Sequence, residues 1–207
     1  MSALRFSSLI ILFPILFGSC GRSELIRIRM LAPVTEDKKD YAIFTDTEST
    51  ITPVIINKQN GGSLYFLFKS IGLGYTTITT KMEKTDENLT EKTTLVTNFT
   101  DVAFGIGENY SFMWGAGVLS GGKMETSLNS FNPKNNYLGG HSIFFVLGHH
   151  GFGFETLLGY RTNFIKAEFE ESDLPTKVGK TDKEFTYESN KINLTTSQVQ
   201  LGIGFTF

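Results

Sequence analysis

The stretch that most constrains this chain is its last nine residues, Val199 to Phe207, reading VQLGIGFTF and ending on an aromatic side chain. Side chains alternate across an extended backbone. Val199, Leu201, Ile203, Phe205 and Phe207 therefore share one face, and Gln200, Gly202, Gly204 and Thr206 the other. One face is wholly apolar and has to be covered, by a core or by lipid. Mean hydropathy is close to zero, and beyond the amino terminus no run approaches the roughly 20 apolar residues that a membrane helix needs. If such a chain crosses a bilayer it does so with strands, and those strands must close on themselves, because hydrocarbon satisfies no backbone hydrogen bond.

The same alternation recurs upstream. Ile26, Ile28 and Met30 alternate with Arg27 and Arg29, a period of two that reads as a short strand. Ile51 to Asn57 reads as a second strand, and the Asn-Gly pair in Lys58 to Gly62 (KQNGG) signals a tight reversal. In the long stretch Ser63 to Met82, Leu64, Phe66 and Phe68 hold one parity while Ile71, Leu73 and Tyr75 hold the other. A β-bulge near Lys69 and Ser70 accounts for the flip, and two strands joined by a turn too short to show turn residues is the alternative. Thr93 to Ile106, Tyr110 to Ser120, Gly139 to Leu147, Phe152 to Phe169 and Lys191 to Phe207 bring the count to about eight. The connections alternate in length, short at 58–62, 107–109 and 148–151 and long at 33–50, 83–91, 121–138 and 170–190. An even count places both termini on the short-turn side.

With 207 residues and no composition shift, one domain is expected. A formal net charge of -2 excludes the basic footprint of a nucleic-acid binder. Residues 1–20 read as a secretory signal, with Arg5 in the positive region and Leu9 to Phe17 as an apolar segment too short to span a bilayer, leaving 21–207 as the folded domain. The lone cysteine, Cys20, follows Gly18 and Ser19 directly after that segment, which resembles a lipoprotein box apart from Phe17 where Leu is usual. Cys20 is thus a lipidation candidate, and ordinary cleavage near it is the alternative.

Arg27, Arg29, Asp101, Glu155 and Arg161 all carry the parity opposite to the apolar face. Charges removed from bulk water need partners, so these five are expected to form an ion-pair network filling the lumen. The Gly-x-Gly pairs at 72/74, 105/107, 115/117, 151/153 and 202/204 match no dinucleotide fingerprint followed by a helix, and they read as small lumen-lining positions. Tyr65, Tyr75, Tyr110, Trp114, Tyr160 and Phe207 are candidates for an aromatic girdle near the strand ends. His149 and His150 sit in a Gly-bounded segment without further ligand types, so neither a metal nor a cofactor is expected.

The terminal strand, with its final Phe and apolar residues at every second position before it, resembles the carboxyl-terminal signature of bacterial outer-membrane barrels. The signal, the strand rhythm and this strand together resemble the OmpA/OmpX/OmpW-like outer-membrane β-barrel group. The resemblance implies an all-β fold, a closed antiparallel up-and-down transmembrane barrel. It also implies an outer-membrane location and partnership with outer-membrane lipids, periplasmic chaperones and the barrel assembly machinery, which would read Val199, Leu201, Ile203, Phe205 and Phe207. A monomer with a non-enzymatic structural or surface-recognition role is expected. The alternatives are a narrow pore for ions or small solutes and an outer-membrane lipid hydrolase. Lipid A deacylases of that membrane use His, Ser and Glu on neighbouring strands. Here His141 and Ser142 are adjacent and must point to opposite faces, while Glu155 has lumen parity, so no catalytic residue is assigned.

Overall fold

The structure, a computed structural model, describes residues 26–34, 54–85, 90–128, 132, 135–151, 153–170 and 191–207. The signal read at 1–20, the lipidation candidate Cys20 and most of the connections at 33–50 and 170–190 lie outside the described residues. Eight strands follow one another: β1 Ile26–Pro33, β2 Val54–Phe68, β3 Ile71–Thr85, β4 Thr90–Gly107, β5 Tyr110–Leu128, β6 Asn135–Gly151, β7 Phe154–Phe169 and β8 Lys191–Thr206. Each pairs antiparallel with its sequence neighbours, and β1 pairs with β8 to close the barrel. The expected all-β, up-and-down closed barrel is the fold. Ladder partners of Arg29 run through Tyr65, Gly74, Asp101, Gly117, Ser142 and Asn163 to Thr196 on β8, whereas Arg29 itself pairs with Gly204, eight residues further on. A stagger of that size over eight strands tilts them by about 36° and leaves an interior just wide enough for side chains to fill.

Several connections fall elsewhere than the turn chemistry suggests. Lys58 to Gly62 is not a reversal: it runs straight through β2, with Lys58, Gln59, Asn60 and Gly61 opposite Lys81, Thr80, Thr79 and Ile78. Gly61 is there for close approach, since at φ 136 an added Cβ would strike the Thr77 carbonyl. The reversal is Lys69–Ser70, so the parity flip is two strands with a minimal turn and not a bulge. Lys69 takes the left-handed conformation itself (φ 55), which is why no Gly or Asn marks the turn. Gly148 to Gly151 likewise stays in β6, with His149 and His150 opposite Thr156 and Glu155. The chain turns between Gly151 and Phe154, with Gly153 at φ 89. At the other end the stretches read as loops at 83–91 and 121–138 are largely strand, because β3 reaches Thr85, β4 starts at Thr90, β5 reaches Leu128 and β6 starts at Asn135. Their outward residues are charged, as in the Lys92–Glu83 ion pair at 3.0 Å, and the polarity conceals the inward Met82, Leu95 and Met124.

Among the described residues, closure is confined to the turn end. The last partners of β1 are Ser63 on β2 and Gln200 on β8, and those of β5 and β6 are Val118 and His141. Beyond these levels, among the described residues, β2 to β5 form one leaf and β6 to β8 another, with no ladder between them. Met82, Leu95, Phe99 and Met124 from the first leaf pack against Ile165, Ala167, Phe169 and Leu194 from the second. The loop end is therefore two sheets face to face over an apolar core, in the manner of a sandwich. The turn end is a true barrel.

Candidate functional site

Within the closed part, long polar side chains and glycines share the inward positions with a buried apolar cluster that includes Leu31, Leu67, Met113, Val146 and Leu157, and the pairing of polar residues with glycines builds the site. Arg29 on β1 lies against Gly204 of β8, and Gly204 in turn lies against Glu155 of β7. A Cβ on Gly204 would come within 2.6 Å of the Glu155 Oε2 and 3.2 Å of the Arg29 Cγ, so a side chain there would displace the carboxylate from this ion pair, and glycine leaves it room. Arg29 Nε donates to Glu155 Oε2 at 2.8 Å and Nη2 donates to Oε1 at 2.8 Å, a two-point ion pair. Ser111 of β5 accepts from Arg29 Nη2 at 2.7 Å and donates to Glu155 Oε1 at 3.1 Å.

One layer further in, Tyr65, Gly74, Asp101, Gly117 and Ser142 succeed one another across β2 to β6. Large and small side chains again alternate, as a narrow barrel requires. Arg161 reaches this layer from β7. Its Nη1 and Nη2 donate to Asp101 Oδ2 and Oδ1, both at 2.9 Å. It donates further to Ser142 Oγ at 2.5 Å, Thr76 Oγ1 at 3.1 Å, Tyr65 Oη at 3.2 Å and Asn163 Oδ1 at 2.9 Å. Its guanidinium also lies 4.8 Å from the Phe99 ring centre and 5.3 Å from that of Phe144. Arg161 and Asp101 are completely buried. A buried pair of this kind contributes little net stability over apolar residues, but losing one partner leaves a charge with no solvent. Such a layer specifies register more than it stabilises.

The five charges read from the sequence thus fall at separate levels: Arg27 donates to the Gly107 carbonyl at 2.7 Å near the turns, then Arg29 with Glu155, then Arg161 with Asp101. Tyr65 corrects the girdle reading. It is fully buried in the lumen, its ring tilted against that of Phe144 at 5.0 Å between centres, while Leu64 and Phe66 on either side face outward. Its parity already placed it inside. Ser111, Thr76, Ser142 and Asn163 escaped the sequence reading because a lone hydroxyl or amide carries no signal until the register is known. His141 faces outward, stacked 5.0 Å from Phe164, whereas Ser142 accepts from Arg161 inside, so the wall of the barrel separates them.

The outer surface of the closed part is a belt of Leu64, Phe66, Leu73, Val102, Ile143, Phe145 and Leu158, each exposed. Leu201, Ile203, Phe205 and Phe207 continue it along β8, with Val199 half-buried at its upper edge. The closing strand is held to its end: Phe207 N donates to Ile26 O at 2.9 Å and Ile26 N to Phe207 O at 3.2 Å. Tyr75, Tyr110, Tyr160 and Phe207 are exposed on the same wall, and Trp114 stacks 5.4 Å from Phe112. Toward the loops the outside turns polar, with Lys58, Lys81, Lys92, Lys123, Glu125 and Lys166 exposed.

These features define an eight-stranded antiparallel barrel whose closed part has charges inside and hydrocarbon side chains outside. No family model matches the chain, and no curated protein matches it. Among solved structures the chain is similar to the crystal structure of the outer membrane protein OprG from Pseudomonas aeruginosa, at 12% identity over 88% of this chain and 95% of that one, with a TM-score of 0.39.

Proposed function

We propose that this protein is an integral β-barrel of the bacterial outer membrane, with a structural or surface-recognition role and no conducting lumen. The observation that carries this reading is the inversion at the closed end, where a continuous apolar belt faces out while two fully buried ion-paired layers lie inside, beside a small apolar cluster. Water would oppose that arrangement; a bilayer favours it. Closure matters for the same reason, because at belt level each strand is paired on both sides and no edge is left open. A strand crosses hydrocarbon in about 9–11 residues, whereas β5 has 19, so the strands project beyond the bilayer on the loop side, where the two leaves display their polar faces. Short turns belong to the periplasm and long loops to the exterior.

In this reading the signal at 1–20 exports the chain, Val199 to Phe207 is the segment that assembly factors engage, and Cys20 is either acylated or lost with the signal. The pore alternative is opposed by the fully buried Arg29, Tyr65, Asp101 and Arg161, which leave no aqueous path at their levels. Two measurements test the proposal. The chain should fractionate with outer membranes and migrate in SDS gels with heat-modifiable mobility, and recovery as a soluble monomer without detergent would overturn it. In planar bilayers the reconstituted protein should give no current steps above bare-membrane leak.

A further inference from the structure

The belt is not uniform. Over β5, β6 and β7 it opens into a furrow of about 680 Å³, rimmed by Phe112 and Trp114 on one side and Tyr160 on the other, with Ile143 and Phe145 along its length. The floor is thin because Gly115 has no side chain and Phe144 points inward, so the wall itself is the base of the furrow. On the same three strands, one outward position nearer the turns, a second hollow of about 340 Å³ is lined by Tyr110, Leu147, His149, Thr156 and Leu158. Its chemistry differs. His149 faces outward with its ring tilted against that of Tyr110, 4.9 Å between centres, and Thr156 Oγ1 donates to the His149 carbonyl at 3.3 Å. The two hollows share no lining residue but adjoin, since Phe145 of the first and Leu147 of the second are successive outward positions on β6. Taken together as one trough, one end is hydrocarbon and aromatic and the other offers an imidazole and a phenol as hydrogen-bond donors.

Length identifies the occupant. His149 and Ile143 are six residues apart on β6, which is about 20 Å along a strand and roughly 15 Å along the membrane normal at the tilt of such a barrel. That is half of a hydrocarbon core about 30 Å thick, or one leaflet. The polar end lies at the turns, so the leaflet is the one on the short-turn side.

We propose that this trough holds one glycerophospholipid of the periplasmic leaflet. An acyl chain lies between Trp114 and Tyr160, and the phosphodiester accepts hydrogen bonds at Tyr110 and His149. The inference rests on the membrane reading given above and adds a ligand to it. Lipopolysaccharide, whose head group lies in the opposite leaflet, does not fit this polarity.

The test uses the full chain reconstituted into vesicles of palmitoyl-oleoyl phosphatidylethanolamine and phosphatidylglycerol, re-extracted in mild detergent and weighed by native mass spectrometry. Wild type should retain one phospholipid per barrel. Ile143→Trp, which fills the furrow, and His149→Ala, which removes a donor to an ionised phosphate, should each reduce retention about tenfold. Leu73→Trp, on the β3 wall away from the furrow, should leave retention unchanged. Heat-modifiable mobility of each variant serves as the readout of folding. An inserted, heat-modifiable wild type bare of phospholipid overturns this inference alone, as does equal loss in all three variants or preferential retention of lipopolysaccharide supplied in equal amount. A wild type that never enters vesicles overturns the membrane reading itself.

Discussion

The two ends of this molecule solve one packing problem in opposite ways. At the turn end the strands close, apolar side chains face out and the inside holds Arg29 with Glu155 and Arg161 with Asp101 beside a smaller apolar cluster of Leu31, Leu67, Met113, Val146 and Leu157. At the loop end the strands part into two leaves, lysines face out and the inside holds Leu95, Phe99, Met124 and Ile165. The strands are continuous through both regions, with β5 switching parity at a bulge where Asn98 and Phe99 pair with Gly121 and Leu119, and in the proposed membrane setting the difference is one of surroundings. Strand edges at the loop end can be hydrated and need no closure, whereas edges in hydrocarbon have no such recourse. An apolar core in turn demands little of register, while a layer of ion pairs threaded past glycines demands much.

The sharpest way to break the comparison is at Arg161. Arg161→Met leaves the Asp101 carboxylate buried without its counter-ion and should cost about 3–5 kcal/mol, read as a lowered urea midpoint for refolding into vesicles. The double variant with Asp101→Leu should recover most of the loss, and failure to recover would mean that the layer acts through more than its charges. Leu95→Ala, at the loop end, should cost about 2–5 kcal/mol by opening a cavity between the leaves. Hydrogen exchange should show faster exchange in the two leaves with the closed barrel still protected; uniform loss of protection would show that the two regions form one cooperative unit.

The outer surface allows a like-for-like test on β8. Leu201→Arg places a charge in the belt and should cost about 2–4 kcal/mol in vesicles. Asn193→Arg, of the same outward parity nearer the loops and exposed, should stay within about 0.5 kcal/mol. Equal effects would remove the boundary between the regions. The smallest change is expected at the turn. Lys69 holds a left-handed conformation (φ 55), so Lys69→Gly should stabilise by up to about 1 kcal/mol, with the midpoint moving up.

Much of the lower region was legible from parity alone. Alternation along VQLGIGFTF and along Tyr110 to Ser120 separates the two faces without any knowledge of neighbours, because it is a property of one extended strand. The loop end was harder to read. Its outward Lys, Thr and Glu and its scattered inward Met and Leu give no continuous apolar face, so 121–138 reads as loop although β5 continues to Leu128. The turns misled in both directions: Asn60-Gly61 carries turn chemistry inside a strand, and Lys69-Ser70 carries none at a turn. In each case the ladder to the neighbouring strand overrode a local preference worth only about 1–2 kcal/mol.

Which residues of the turn end face inward, and roughly how many strands there are, follow from the sequence by itself through side-chain alternation, and closure follows from the requirement that backbone groups in the proposed bilayer be paired. Which charge meets which was decided only by the tertiary structure. Arg29 and Glu155 are 126 residues apart, and Arg161 and Asp101 are 60 apart. They meet because an eight-residue stagger brings them to common levels across the lumen. Stagger is a property of the closed ring, shared by all its ladders, and no single strand carries it.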